Sequence, residues 1–161
     1  MKQAKLLTQA EQKRVNALIA AHRYSARNRA IFSISFFAGL RACEIAGLKV
    51  GDVFDANGEV RDTLYLAAGQ TKGDEANTVL VSKRLEKALL AYAAAYPLHT
   101  SKPNAALFFS AKRGGFSAQT IVNLFARFYA LSGIMVLSRL RSGPSTHLCG
   151  LSFECQWAFA T

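Results

Sequence analysis

The stretch FFAGLRACEIAGLKVGDV, residues 36–53, places one arginine directly after Gly39-Leu40, where an apolar helix is broken and a short one begins. At such a position the Arg41 guanidinium joins backbone N–H groups that lack intrahelical acceptors, beside the positive end of the peptide dipoles. Its fork of donors matches two oxygens of a phosphodiester. A second cation of interest is Lys72, which precedes Gly73 in the polar run GQTKGDEA. A flexible amine at a loop tip can contact a phosphate or protonate a leaving oxygen. Glu44, three residues after Arg41, reads as a structural partner near the helix start. Taken singly, each cation is more often a solvated charge than a site.

The elements that must position these groups follow from capping and period. Thr8 to Glu11 is a capping box, and Leu7, Val15, Leu18 and Ile19 continue a helical stripe to about Ala21. HRYSARNRA is a basic connector with Ser25 as N-cap, leading into an apolar helix from about Ala26 to Phe37 that Gly39 breaks. Arg41 then opens RACEIAGL, with Ile45 and Leu48 facing inward. TLYLA and NTVLVS alternate as strands around a hairpin loop holding Lys72. A helix over Lys83–Tyr96 ends at Pro97, and residues 98–106 read as loop. LFF is a short extended piece, KRGG a turn, and Ser117 caps a long amphipathic helix. The fold expected is mainly α with a small antiparallel β-hairpin or three-stranded sheet. The aromatics at 32, 36, 37, 125, 128 and 129 fall at helical spacing, which assigns them to packing and not to base stacking.

Composition narrows the function classes. The chain has 161 residues, room for one domain of ordinary size, and a formal net charge of +10. The excess is uneven: residues 1–50 hold nine basic and two acidic side chains, 51–100 five and seven, 101–161 six and one. A basic excess of this kind favours a polyanion, with double-stranded DNA as the expected partner. Arg27 and Arg29 in the first basic segment and Lys112 and Arg113 in the last are candidate backbone contacts. No apolar run approaches a membrane span, and the polar start MKQAKLLTQAEQKR is unlike a secretory leader, so a cytoplasmic protein is expected. Cys43, Cys149 and Cys155 are scattered, and His22, His99 and His147 show no ligand spacing, so neither a disulfide framework nor a metal site is expected. The KRGG turn lacks the Lys-Ser/Thr ending of a phosphate-binding loop.

In order and spacing, Gly39, Leu40, Arg41, Glu44, Leu48 and Asp52 resemble the first catalytic box of the tyrosine recombinases, the phage integrase family. QTKGDEANTVLVS resembles the family's strand–turn–strand with its lysine. LFFSAKRGGFSAQTIVNLFARFYALSGI resembles the segment leading to the second box. The resemblance covers about residues 5–134 and implies part of a recombinase catalytic domain. It also implies DNA breakage and rejoining without a cofactor, with Arg41 as a clamp arginine, Lys72 as general acid, and other recombinase protomers as further partners.

Beyond Ile134 the sequence departs from that pattern. The family calls for His-x-x-Arg, whereas His147 is followed three residues later by Gly150. The five tyrosines, at 24, 65, 92, 96 and 129, all precede the position of that box, so the nucleophile is expected to be missing. The family's N-terminal DNA-binding domain is likewise expected to be absent. Residues 1–134 therefore read as a partial catalytic domain and 135–161 as an aberrant, poorly ordered tail of the kind a frameshift produces. The expected function is DNA binding in integration or site-specific recombination, without cleavage. Two alternatives stay open: a non-catalytic fragment that modulates a full-length recombinase, and a non-functional remnant.

Overall fold

The computed structural model describes residues 7–66, 77–110 and 114–134. Helix α1 (Gln9–Ala20) begins at the expected capping box. Glu11 N donates to Thr8 Oγ1 at 3.3 Å, and Thr8 N donates to Glu11 Oε2 at 2.8 Å. Helix α2 (Ser25–Ser33) starts one residue earlier than its cap signal suggested. Ser25 lies inside the helix, and Tyr24 holds the cap position without a side-chain bond. The backbone explains the shift: Asn28 N donates to Tyr24 O at 2.9 Å, closing the first turn on Tyr24.

The chain then widens into a π-helical turn, Ile34–Ala38, which ends at Gly39 with φ of 67°. A wider turn redistributes a run that is apolar on nearly every side. Ile34, Phe37 and Ala38 join one core, while Phe32 and Phe36 join a second. Leu40 and Arg41 follow, and two short helices come next, α3 (Ala42–Gly47) and α4 (Val50–Val53). In the latter, Asp52 Oδ2 accepts from Lys49 N at 2.8 Å, a local cap that the sequence reading passed over.

Strands β1 (Thr63–Leu66) and β2 (Asn77–Leu80) form the antiparallel pair, with Thr63 opposite Leu80 and Leu66 opposite Asn77. Period-2 alternation holds: Leu64 and Leu66 are buried, Thr63 and Tyr65 exposed. Among the described residues this is a two-stranded sheet. LFF does not add a third strand: isolated bridges join Lys49 to Ala106, just before it, and Phe109 to Gly115.

Helix α5 (Lys83–Ala95) is capped by Ser82, whose hydroxyl accepts from Leu85 N at 3.3 Å. Pro97 ends it and also opens α6 (Pro97–Thr100), so the start of the expected loop is one helical turn. Proline suits a first helical position because its missing N–H has no acceptor there. Helix α7 (Ala118–Leu131) is capped by Ser117 as expected.

The larger core gathers Ile31, Ile34, Ile45, Leu64, Leu89 and Leu107, all at most 1% exposed. The smaller core holds Val15, Ile19, Phe32, Phe128 and Ile134 between α1, α2 and α7. Each fully buried aliphatic side chain contributes about 1.5–3 kcal/mol relative to exposure.

Gly39 is the hinge between the π-turn and Arg41, and a Cβ there would meet open space. The cost of substitution is thus the left-handed backbone alone. Gly39→Ala should lower stability by about 1–2 kcal/mol, read as a shifted urea midpoint with unchanged slope. An unchanged midpoint would mean that the turn relaxes to negative φ.

Candidate nucleic-acid interface

Arg41 is the N-cap of α3, with extended backbone (φ −73°, ψ 158°). Its own N–H donates to Glu44 Oε2 at 2.7 Å. Its guanidinium nitrogen Nη1 lies 3.6 Å from Glu44 Oε1; the Arg41 side chain is 46% exposed and that of Glu44 8%. One buried carboxylate therefore holds both ends of Arg41. Glu44 sits where an acid is favoured, in the first helical turn, and turns its charge toward backbone N–H. The 3.6 Å contact is longer than a hydrogen bond, so it orients the guanidinium without saturating it. Among the described residues, Arg41 has no other side-chain ion-pair partner. What this arrangement offers a ligand is a half-exposed planar cation with free fork donors. The macrodipole of a six-residue helix already facing Glu44 adds little, so the attraction rests on the guanidinium itself.

Helix α3 is supported at both sides. It packs against α7, and its inward face is Ile45 and then Leu48, each 1% exposed. Its exit is tied by backbone bonds to the segment at 103–107. Leu107 N donates to Leu48 O at 2.8 Å, Val50 N to Ala105 O at 3.0 Å, and Gly51 N to Pro103 O at 2.9 Å. A Cβ at Gly51 would stand 3.2 Å from Pro103 O, so only glycine permits this approach without movement.

Of the other expected DNA contacts, Arg29 is exposed on α2 and available. Arg27 is not: it is 5% exposed, and the expectation that it faces DNA is corrected. Its Nη1 donates to Phe109 O at 2.8 Å, and Nε and Nη2 donate to Asn28 Oδ1 at 3.3 and 3.2 Å. Its guanidinium carbon lies 4.3 Å from the Tyr24 ring centroid and 4.8 Å from that of Phe116. Burial lowers its pKa below the ordinary arginine value, and the aromatic faces and carbonyl acceptors take the place of water. A signal was available in the sequence. Arg27 precedes Ile31 by four and Ile34 by seven, which puts it on the buried face of its helix.

Lys72, Lys112 and Arg113 lie outside the described residues, as does everything from 135 to 161. Among the described residues no group of three or more His, Cys, Asp or Glu could hold a metal, and no helix is long and apolar enough to cross a membrane.

Two polar residues that sequence reasoning left unassigned hold the carbonyls of Ala106 and Leu107. Tyr92 is fully buried, and its hydroxyl donates to Leu107 O at 2.6 Å. Burial pushes its phenol above the ordinary tyrosine range. His99 Nε2 lies 2.8 Å from Ala106 O and 3.2 Å from Leu107 O, and since carbonyls only accept, this nitrogen carries the proton.

With this geometry in place, comparison with known proteins identifies the class. The sequence matches the phage integrase family over residues 5–154, and the chain belongs to that family. The match continues past Ile134, where the motif reading ends the resemblance. A comparison with curated proteins gives no match. Among solved structures the fold is similar to the crystal structure of XerA recombinase, at 26% identity and a TM-score of 0.62. That likeness covers 81% of this chain and 44% of the XerA chain, so this chain spans less than half of that protein. The architecture is that of a tyrosine recombinase catalytic domain, mainly helical with, among the described residues, a two-stranded antiparallel sheet.

Glu44→Ala removes a buried acceptor from the Arg41 N–H and frees the guanidinium. It should cost about 1–3 kcal/mol of stability, seen in chemical denaturation. A loss no larger than that of an exposed acid such as Glu59→Ala would show that Glu44 is not the anchor of α3.

Proposed function

We propose that this chain binds double-stranded DNA through its phosphate backbone, with Arg41 as the central phosphate grip. Arg29, Lys112 and Arg113 supply further backbone contacts. Membership of the phage integrase family makes DNA integration or site-specific recombination the setting. The observation that carries the reading is the half-exposed Arg41 guanidinium held over α3 by buried Glu44. A net charge of +10 supports a polyanionic partner.

In this reading Lys72, which falls between β1 and β2 in sequence, is the general acid by family resemblance. Strand breakage further needs a second arginine box and a tyrosine nucleophile. None of the five tyrosines follows the position of that box. Tyr92 is enclosed and committed to Leu107 O, and Tyr129 is half-buried beside the smaller core. The chain is therefore proposed to bind DNA without forming a covalent link. Binding without cleavage also fits a fragment that modulates a full-length recombinase.

Duplex affinity measured by fluorescence anisotropy should fall steeply between about 50 and 200 mM salt. Arg41→Ala should cost about 1.5–3 kcal/mol of binding, and Lys2→Ala less than about 1 kcal/mol. A nicked suicide duplex should yield no covalent adduct with either protein. Salt-independent binding, or equal losses for the two variants, would contradict the phosphate-grip reading. An adduct would contradict the missing nucleophile.

A further inference from the structure

Three side chains from three different helices donate to the carbonyls of one short segment. His99 of α6 donates to Ala106 O, Tyr92 of α5 to Leu107 O, and Arg27 of α2 to Phe109 O. Such convergence is uncommon for a stretch that belongs to no sheet, because backbone carbonyls usually find backbone partners. Here the side chains substitute for a missing neighbouring strand. The N–H and C=O groups turned the other way serve α3, through Leu107 N to Leu48 O and Val50 N to Ala105 O. Arg27 reaches the second support of α3 as well. Phe116, stacked on its guanidinium, immediately precedes Ser117, the cap of α7, and α7 packs on α3.

We propose that Arg27, Tyr92 and His99 are positioning residues for Arg41. They fix the segment 106–109 as a ledge from which α3 is hung, and so set where the Arg41 guanidinium stands. None of the three touches the ligand. Arg27 thus serves phosphate binding from inside the fold. This inference rests on the reading of Arg41 as the phosphate grip.

The test is a double-mutant cycle in the full chain, with Tyr92→Phe and Arg41→Ala as the two changes and duplex affinity as the readout. Tyr92→Phe deletes one hydroxyl and keeps the ring, so the fold is retained. With Arg41 present it should weaken duplex binding about two- to tenfold, the range of one hydrogen bond. In the Arg41→Ala background it should change binding hardly at all. Equal fold-losses in both backgrounds would overturn the proposal, since the hydroxyl would then act on the fold generally. Arg27→Lys keeps the charge but loses the planar fork, and should behave like Tyr92→Phe in the same cycle.

A second readout separates this inference from the reading beneath it. In the free protein, Tyr92→Phe should move the backbone amide resonance of Arg41, which reports its bond to Glu44, and leave that of Lys13 on α1 in place. If Arg41→Ala alone leaves binding unchanged, the phosphate-grip reading falls. The Arg41 amide then decides the positioning claim: a shift supports it, and an unmoved resonance overturns it.

Discussion

The constraint on which most of this structure depends is the need to satisfy the backbone of residues 105–109 inside the molecule. Leu107 and Phe108 are buried, and a buried carbonyl without a donor costs about 1–3 kcal/mol. The chain answers with Tyr92, His99 and Arg27 on one side and the exit of α3 on the other. Because those donors come from α2, α5 and α6, the segment ties together elements that are far apart in sequence. Arg27 and its acceptor are 82 positions apart. That placement also explains why an arginine is tolerated there with no carboxylate beside it among the described residues. Three aromatic rings, one carbonyl and one amide oxygen compensate its charge.

The exposed chemistry is built from more local forces. Gly39 turns the chain through a left-handed residue, Leu40 is buried, and Arg41 emerges at the start of α3. Glu44 then holds the Arg41 backbone with one oxygen and faces its guanidinium with the other. A buried acid that orients an exposed base is a better arrangement for phosphate than a free surface arginine. Less side-chain freedom would be lost on binding an anion. The π-helical turn before Gly39 serves the same end, since it lets one apolar run feed two cores and still deliver the chain to Arg41.

Much of this was legible in the sequence where the signals are local. The Thr8–Glu11 box, the Ser82 and Ser117 caps, the alternation of Leu64 and Leu66, and the inward Ile45 and Leu48 all depend on neighbours within a few residues. The spacing Gly39, Leu40, Arg41, Glu44 pointed to the family that the full comparison finds. What could not be read locally depends on distant partners. Arg27 looked like one of several surface cations because its acceptor lies far along the chain, although its place on the helix face was a usable clue. The bonds of Tyr92 and His99 left no pattern at all. Pro97 was read only as a stop, whereas it also starts a helix, and α4 is too short for any period.

In the function proposed above, Arg41 meets phosphate while Arg27 holds the fold, two arginines fourteen residues apart with opposite roles. The most direct test follows the arginine side-chain Nε–Hε resonances by NMR as a short duplex is added. The Arg41 signal should move and sharpen with DNA, together with the backbone amides of Ala42 to Glu44, while the Arg27 signal stays where it is in the free protein. An unmoved Arg41, or an Arg27 that titrates with the duplex in its place, would contradict the account.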